Sequence, residues 1–237
     1  MKLLASGASE LGIVLSDRQL GQFETYYQQL VEWNQRVNLT AITDYHEVQV
    51  KHFLDSLTLS LAVAPSRITK CRVIDVGAGA GLPGVPLKIA FPDISLTLAE
   101  ATGKKTRFLQ HLVDTLGFED VAVCTGRAEE LAQRPDLRES FDLVLARGVA
   151  KLAVLSEYTL PFCALGGQVA AWKHVGIERE LSNAQPAIEV LGGRLEGVHR
   201  VSATGLSDDR VLIVLDKVKP TPEGFPRRPG RPAKRPL

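Results

Sequence analysis

The stretch RVIDVGAGAGLPG, residues 72–84, runs from a short apolar strand through Asp75 to glycines at 77, 79 and 81, and then into a helix. Glycine takes up positive φ without a Cβ penalty and lets a ligand approach the main chain, and the first turn of a helix adds unpaired N–H groups. Such a loop is a cradle for a nucleotide-like ligand. Its charge narrows the choice. A phosphate-binding P-loop carries Lys after its glycines, and none stands here. Gly79, Gly81 and Gly84 do satisfy the dinucleotide fingerprint G-x-G-x-x-G, which keeps an NAD(P)-dependent dehydrogenase as the competing class. Asp75, however, is an unfavourable neighbour for a pyrophosphate and a favourable one for a cationic amine.

Outward from the loop, short apolar runs alternate with helical ones. Strands are expected at SLTLA (95–99), VAVCT (121–125), FDLVLA (141–146) and GQVAAWK (167–173), with helices between them and Gly117 as a C-cap. This alternation predicts an α/β fold, a largely parallel sheet with helices on both faces. S-adenosylmethionine carries an amine and a sulfonium and no phosphate, so it suits a glycine loop led by an acid; the pattern resembles the first motif of Rossmann-like methyltransferases. A second acid is then expected at the end of the next strand, where one carboxylate accepts from two vicinal ribose hydroxyls. Glu100 stands there. The third strand ends in CTGRAEE, which sets Ala128 and Glu129 against the adenine. Each acid also has an ordinary reading: Asp75 capping a turn, Glu100 as surface charge, Glu129 opening a helix. Three acids at three successive strand ends favour the shared role.

With 237 residues, 45% of them hydrophobic, the chain can bury a core without disulfides, and Cys71, Cys124 and Cys163 show neither disulfide nor zinc spacing. A reducing, cytoplasmic setting is expected. Nowhere do the roughly 18 apolar residues of a membrane span occur together. Two amphipathic helices are expected first. One carries Leu20, Phe23, Tyr27, Leu30 and Val31, with Ser16 and Gln19 as a capping box, and the other Val50, Phe53, Leu54, Leu57 and Leu61. The expected division is an N-terminal helical extension over 1–64, the methyltransferase domain over 65–216 with RLEGVHRVS and DRVLIVLDK as a closing strand pair, and a tail over 217–237. Seven of the 28 Lys and Arg and one of the 27 acids lie in that tail, which makes it +6 on a body of −5. Its prolines predict an irregular, extended segment suited to tracking phosphates, with an inert terminus or one packing Phe225 onto the domain as the alternatives.

Arg147, at the end of the fourth strand, is the unusual residue. Arginine is seldom buried without an acceptor, and ligands sit at the carboxyl ends of strands in open α/β sheets. It can serve the methionine part of the cofactor, the base or phosphate of a substrate, or an ion pair with an acid such as Glu129. The tetrapeptide typical of exocyclic-amine methylation is missing beside it, and Cys163 reads as a core residue rather than a nucleophile for carbon methylation.

Across residues 16–216 the chain resembles the RsmG (glucose-inhibited division protein B) family. The motifs are EWNQRVNLT (32–40), KHFLDSL (51–57), VIDVGAGAGLPGVPLKI (73–89), GKKTRFL (103–109), GRAEE (126–130) and LARGVA (145–150). The resemblance implies a Rossmann-like fold with a seven-stranded sheet, and methyl transfer from S-adenosylmethionine to guanine N7 in the 530 loop of 16S rRNA, at guanosine 527 in standard rRNA numbering. Carried over position by position, it adds Gly77, Leu82, Glu100, Ala101, Thr102, Ala128, Glu129 and Arg147 as cofactor-binding positions, beside Asp75, Gly79 and Gly81. Glu100 stands where Asp is frequent, and His174 where Gly is frequent.

Guanine N7 is an exposed acceptor with no proton to remove, so no general base and no metal are expected. Alignment and electrostatics would do the work. Arg147, Lys173, His52 and Asp55 are the candidates for positioning the target, although His52 and Asp55 also fit a helix-surface hydrogen bond. Lys51, Arg36, Lys104, Lys105, Arg107 and Lys173 are candidate phosphate contacts, and Trp33, Tyr45, Phe53 and Trp172 candidate stacking rings, with core packing as the alternative for each. The expected partner is 16S rRNA or the small ribosomal subunit, bound by a monomer with no membrane contact. A non-catalytic RNA-binding protein on a methyltransferase fold is the remaining alternative.

Overall fold

The computed structural model describes residues 1–203, 205–206 and 209–237. It begins with a helix that periodicity did not announce, α1 (Lys2–Glu10), which buries Leu4, Gly7 and Ala8. Small residues between the apolar ones blur its stripe. Helix α2 (Asp17–Asn34) starts at the expected capping box, with the Ser16 hydroxyl accepting from Gln19 N and the Gln19 side chain accepting from Ser16 N. Its buried tyrosine is Tyr26, not Tyr27. Phe23, Tyr26 and Leu30 form the inner face, while Tyr27 lies half-buried and donates to the Thr43 carbonyl.

The next helical stretch changes winding as it goes: α3 (Tyr45–Val48), a π-helical segment (Gln49–Leu54), α4 (Asp55–Leu57) and a 3₁₀ turn (Thr58–Leu61). The wider π turn shifts the phase of the apolar stripe. Phe53, Leu54 and Leu57 stay buried and Leu61 emerges 42% exposed, while His52 and Asp55 turn inward. Rings of Phe23 and Tyr26 each pack 5.0 Å from Phe53 and join the two helical units.

After α5 (Pro65–Ile68) come β1 (Arg72–Val76), α6 (Gly84–Ala90), β2 (Ser95–Glu100), α7 (Gly103–Leu116), β3 (Val121–Thr125), α8 (Ala128–Leu131), β4 (Phe141–Arg147), α9 (Leu152–Thr159), β5 (Cys163–His174), α10 (Glu178–Val190), β6 (Gly193–Arg200) and β7 (Arg210–Lys217). The strands form one seven-stranded sheet in the order β3-β2-β1-β4-β5-β7-β6. Among the described residues only β7 runs against its neighbours, β5 and β6. Alternate strand residues feed two cores. Val73, Leu98 and Leu145 meet the N-terminal helices, α6 and α7, while Ile74, Val144 and Val169 meet α9 and α10. The order reverses between β1 and β4, which opens a crevice at their carboxyl ends.

The tail departs from its expected extended form. Phe225 packs onto the second core, and the Arg138 guanidinium donates to the carbonyls of Thr221, Pro222 and Phe225. Arg227 makes a forked ion pair with Glu157, itself 1% exposed. A last turn, α11 (Arg231–Lys234), follows, with Pro232 in its first turn where no N–H is needed. Prolines remove donors but leave the segment's carbonyl acceptors in place, and here the carbonyls of Thr221, Pro222 and Phe225 meet one arginine. Lys217, placed in the tail by composition, closes β7 and is buried against Glu139 at 2.9 Å.

Candidate active site at the carboxyl ends of the strands

The glycine loop folds tightly over the end of β1. Gly77 and Ala78 both donate to the Ala99 carbonyl, at 2.8 and 3.1 Å, and Gly77, Gly79 and Gly81 all hold positive φ. From α2, the buried Tyr26 hydroxyl donates to the Ala80 carbonyl at 2.5 Å. Burial raises the Tyr26 pKa well above its ordinary value, so this donor persists across the working pH range. Leu82 is buried at the loop's end. Asp75 lies beneath it, with Oδ2 accepting from Gly84 N at 2.8 Å and Oδ1 without a hydrogen-bond partner among the described residues. Burial pushes the Asp75 carboxyl up to about 7.

Beside the loop a cavity is lined by Gly77, Glu100, Ala101, Ala128, Glu129 and Tyr158, among others. The Glu100 carboxylate takes hydrogen bonds from Gly79 N at 3.1 Å and Thr102 N at 2.8 Å, which fixes its position and leaves further lone pairs to accept. Thr102 thus acts on Glu100 rather than on the cavity. Glu129 is held at Oε1 by the Gly230 N–H at 2.9 Å. Tyr158 and Gly230 carried no motif, since helical periodicity reads the first as core and proline content reads the second as tail.

Three motifs far apart in sequence meet next to this cavity's strands. Asn34 accepts at Oδ1 from Leu39 N and Thr40 N and donates to the Thr40 carbonyl, which makes a fixed loop of the segment between α2 and α3. The Thr40 hydroxyl then sits 2.8 Å from His52 Nε2. On the other side of the ring, His52 Nδ1 lies 3.2 Å from Arg147 Nη2, and Arg147 Nη1 donates to Asp55 Oδ2 at 2.8 Å. A guanidinium only donates, whereas the Lys51 carbonyl 3.1 Å from the same Nδ1 only accepts, so the ring tautomer decides which of the two Nδ1 serves. Burial and the Arg147 charge lower His52 to about 4, so the ring is neutral at working pH. Burial raises Asp55 against the opposing pull of Arg147 and Arg210. The Asp55 carboxylate is fully buried, the Arg210 guanidinium lies 3.9 Å from its second oxygen, and the Trp172 indole donates to its main-chain carbonyl.

Arg147 therefore has an acid partner, but it is Asp55 and not Glu129. Lys173 stands apart from this network: its ammonium donates to the Ala150 carbonyl at 2.7 Å and pairs with Glu180 at 2.6 Å, pinning the loop after β4. Lys51 pairs with Glu47, and His174 with Asp209. Phe53 and Trp172 are core rings and Tyr45 donates to Glu24, whereas Trp33 borders a surface pocket with Arg36, Lys104 and Arg107. Cys163 is buried, and burial pushes its thiol up to about 12, in keeping with a core role.

The family model for rRNA small subunit methyltransferase G matches residues 19–211. A curated protein of Dehalococcoides mccartyi named ribosomal RNA small subunit methyltransferase G is 52% identical over 237 residues, the whole of both chains. Its namesake in Bacillus subtilis is 45% identical over 232 residues, covering 98% of this chain and 96% of that one. Among solved structures, Aeropyrum pernix fibrillarin with natively bound S-adenosyl-L-methionine shares the fold with a TM-score of 0.52 at 15% identity, over 67% of this chain and 72% of that one.

Proposed function

Because this chain belongs to the rRNA small subunit methyltransferase G family, we propose that it transfers a methyl group from S-adenosylmethionine to N7 of a guanine in the 530 loop of 16S rRNA. One observation carries the reading: the Asn34–Thr40, His52–Asp55 and Arg147 motifs converge on one network at the carboxyl end of β4, beside a glycine loop flanked by acids. The residues fit the cofactor. Two carboxylates, Glu100 and Glu129, line the cavity, a Cβ at Gly77 would crowd it, and the buried Asp75 keeps an unpartnered oxygen under the loop. When bound, the cofactor supplies a methyl group on a positively charged sulfur.

Glu100 accepts from the ribose hydroxyls, Ala128 and Glu129 flank the adenine, and Asp75 places negative charge under the loop that meets the cationic amine. Arg147 presents its guanidinium toward the target base, held in orientation by Asp55 and His52. His52 is engaged at both ring nitrogens and neutral, so it positions Arg147 and moves no proton. Two carboxylates in the cavity oppose a pyrophosphate, which counts against the dehydrogenase class. Nucleoside mass spectrometry of small-subunit rRNA from cells with and without the gene tests the reading; N7-methylguanosine that persists in the deletion strain rejects it.

Glu100→Ala removes the acceptor and also frees the N–H groups of Gly79 and Thr102. Cofactor affinity should drop by about 1–3 kcal/mol, the worth of hydrogen bonds to a charged group, as read by calorimetry. Wild-type affinity in this variant would make Glu100 a loop brace only.

The pH dependence should divide between two steps. With no proton to abstract, single-turnover methylation at saturating cofactor should be flat within about threefold from pH 6.5 to 9. Cofactor affinity should behave otherwise. The Asp75 carboxyl titrates at about 7, so it is charged above that value and neutral below, and affinity should fall about fivefold to tenfold from pH 8 to 6. Asp75→Asn should abolish that bend. A bend unaltered in the variant would remove Asp75 from cofactor binding, and a rate rising tenfold per pH unit would indicate a general base and another target atom.

A further inference from the structure

Resting on the rRNA methyltransferase reading, we propose that the folded C-terminal segment is a built phosphate-binding surface that grips the RNA backbone beside the cofactor cavity. Of the seven basic residues from 217 onward, two are consumed by the fold, Lys217 with Glu139 and Arg227 with Glu157. Arg228, Arg231, Lys234 and Arg235 are exposed, line one open surface pocket, and make no ion pair among the described residues. Four cations of one sign on a single short segment repel one another, so the segment stays in place because other parts of it anchor it. Those anchors are Phe225 in the second core, the Arg227–Glu157 fork and the Gly230 N–H on Glu129. Mutual repulsion held by separate anchors leaves a surface whose complement is a polyanion.

Position specifies which polyanion. Gly230 touches Glu129, which follows β3, while Pro236 and Leu237 border a pocket with Lys151, which follows β4, and Gly176 and Arg179, which follow β5. The segment therefore lies along the carboxyl ends of three parallel strands, the edge at which Arg147 and the glycine loop also stand. An RNA that delivers a guanine there must carry its phosphates past this edge, and a protein partner would find few apolar groups on the four-cation surface. On the opposite flank Arg36, Lys104 and Arg107 surround Trp33. Basic surfaces on both flanks suit a folded RNA recognised by backbone and shape.

The test neutralises the four cations that line this pocket, leaving the exposed Lys219 outside it, and spares every anchor: Arg228→Gln, Arg231→Gln, Lys234→Gln and Arg235→Gln in the full chain. Binding to a small-subunit rRNA transcript and to isolated small subunits is measured across salt concentration, with S-adenosylhomocysteine affinity measured alongside. The expected result is cofactor affinity within twofold of wild type, weaker binding to both RNA forms, and a log–log salt slope flatter by up to about 3, taking ~0.7 per phosphate contact. An unchanged slope with intact cofactor affinity overturns the proposal. So does lost affinity for subunits with unchanged affinity for the transcript, which would assign the surface to a ribosomal protein, and so does a joint loss of cofactor and RNA binding, which would make the cations part of the fold. Failure of the underlying reading shows separately, as absence of methyl transfer to rRNA by the wild-type protein.

Discussion

Gly77→Val is expected to eliminate measurable S-adenosylmethionine binding in a protein that still folds. Gly77 holds φ +77°, a conformation that a β-branched residue adopts only under strain of about 1–3 kcal/mol. A Cβ there lies 2.9 Å from a methyl group of Val149, so the loop or Val149 must move, and both border the cavity. The added methyls extend from a residue that itself lines the cavity. Affinity should drop by at least about a hundredfold, close to 3 kcal/mol. Gly117→Ala separates strain from collision, because Gly117 has φ +67°, a Cβ added there meets nothing within 4 Å, and it ends α7 away from the cavity. That variant should lose about 1 kcal/mol of stability and bind cofactor as wild type does. Calorimetric binding by a folded Gly77→Val protein at wild-type strength would remove the loop from cofactor recognition.

What was legible in the sequence is what short-range pattern encodes. The loop 72–84, the parallel strands, the capping box at Ser16 and the C-cap at Gly117 follow from spacings of a few residues, and Gly117 does take φ +67°. The acids at the strand ends were legible for the same reason, since a parallel sheet brings consecutive strand ends to one edge. Glu100 and Glu129 duly share a cavity. The partner of Arg147 was not legible. It lies 92 residues away on a helix whose π turn rotates His52 and Asp55 inward, and a 3.6-residue period places them on a surface. Tyr26 was missed by one position because both tyrosines fit the stripe, and only the glycine loop supplies the acceptor that selects one. The extended form of the tail fails for a different reason, and the alternative with Phe225 packed onto the domain is the one the structure takes. Proline content reports missing donors, whereas the tail is held by its carbonyls and by one arginine with a buried partner.

The same long-range pairing makes Arg147→Ala the most disruptive change expected outside the loop. Asp55 is fully buried, and without Arg147 its nearest cation is Arg210 at 3.9 Å. Stripping one partner from a buried pair costs about 3–5 kcal/mol, because a carboxylate is left in the core. The pH response identifies that cause. Burial already raises the Asp55 pKa, and loss of Arg147 removes the largest opposing influence, so the native state will hold a proton on Asp55 that the unfolded chain releases. Stability carried by a raised pKa is present at low pH and lost as pH rises. The variant should therefore gain stability on acidification from pH 7 toward 5, as chemical denaturation at each pH would report. Adding Asp55→Asn removes the buried charge and should restore most of the lost stability. It should not restore methylation, expected to fall at least about a hundredfold at saturating cofactor, while S-adenosylhomocysteine affinity stays within about threefold, since Arg147 does not line the cofactor cavity. If the double variant regains both stability and methyl transfer, Arg147 is only a brace for Asp55, and the group that orients the guanine must be sought elsewhere on the strand edge.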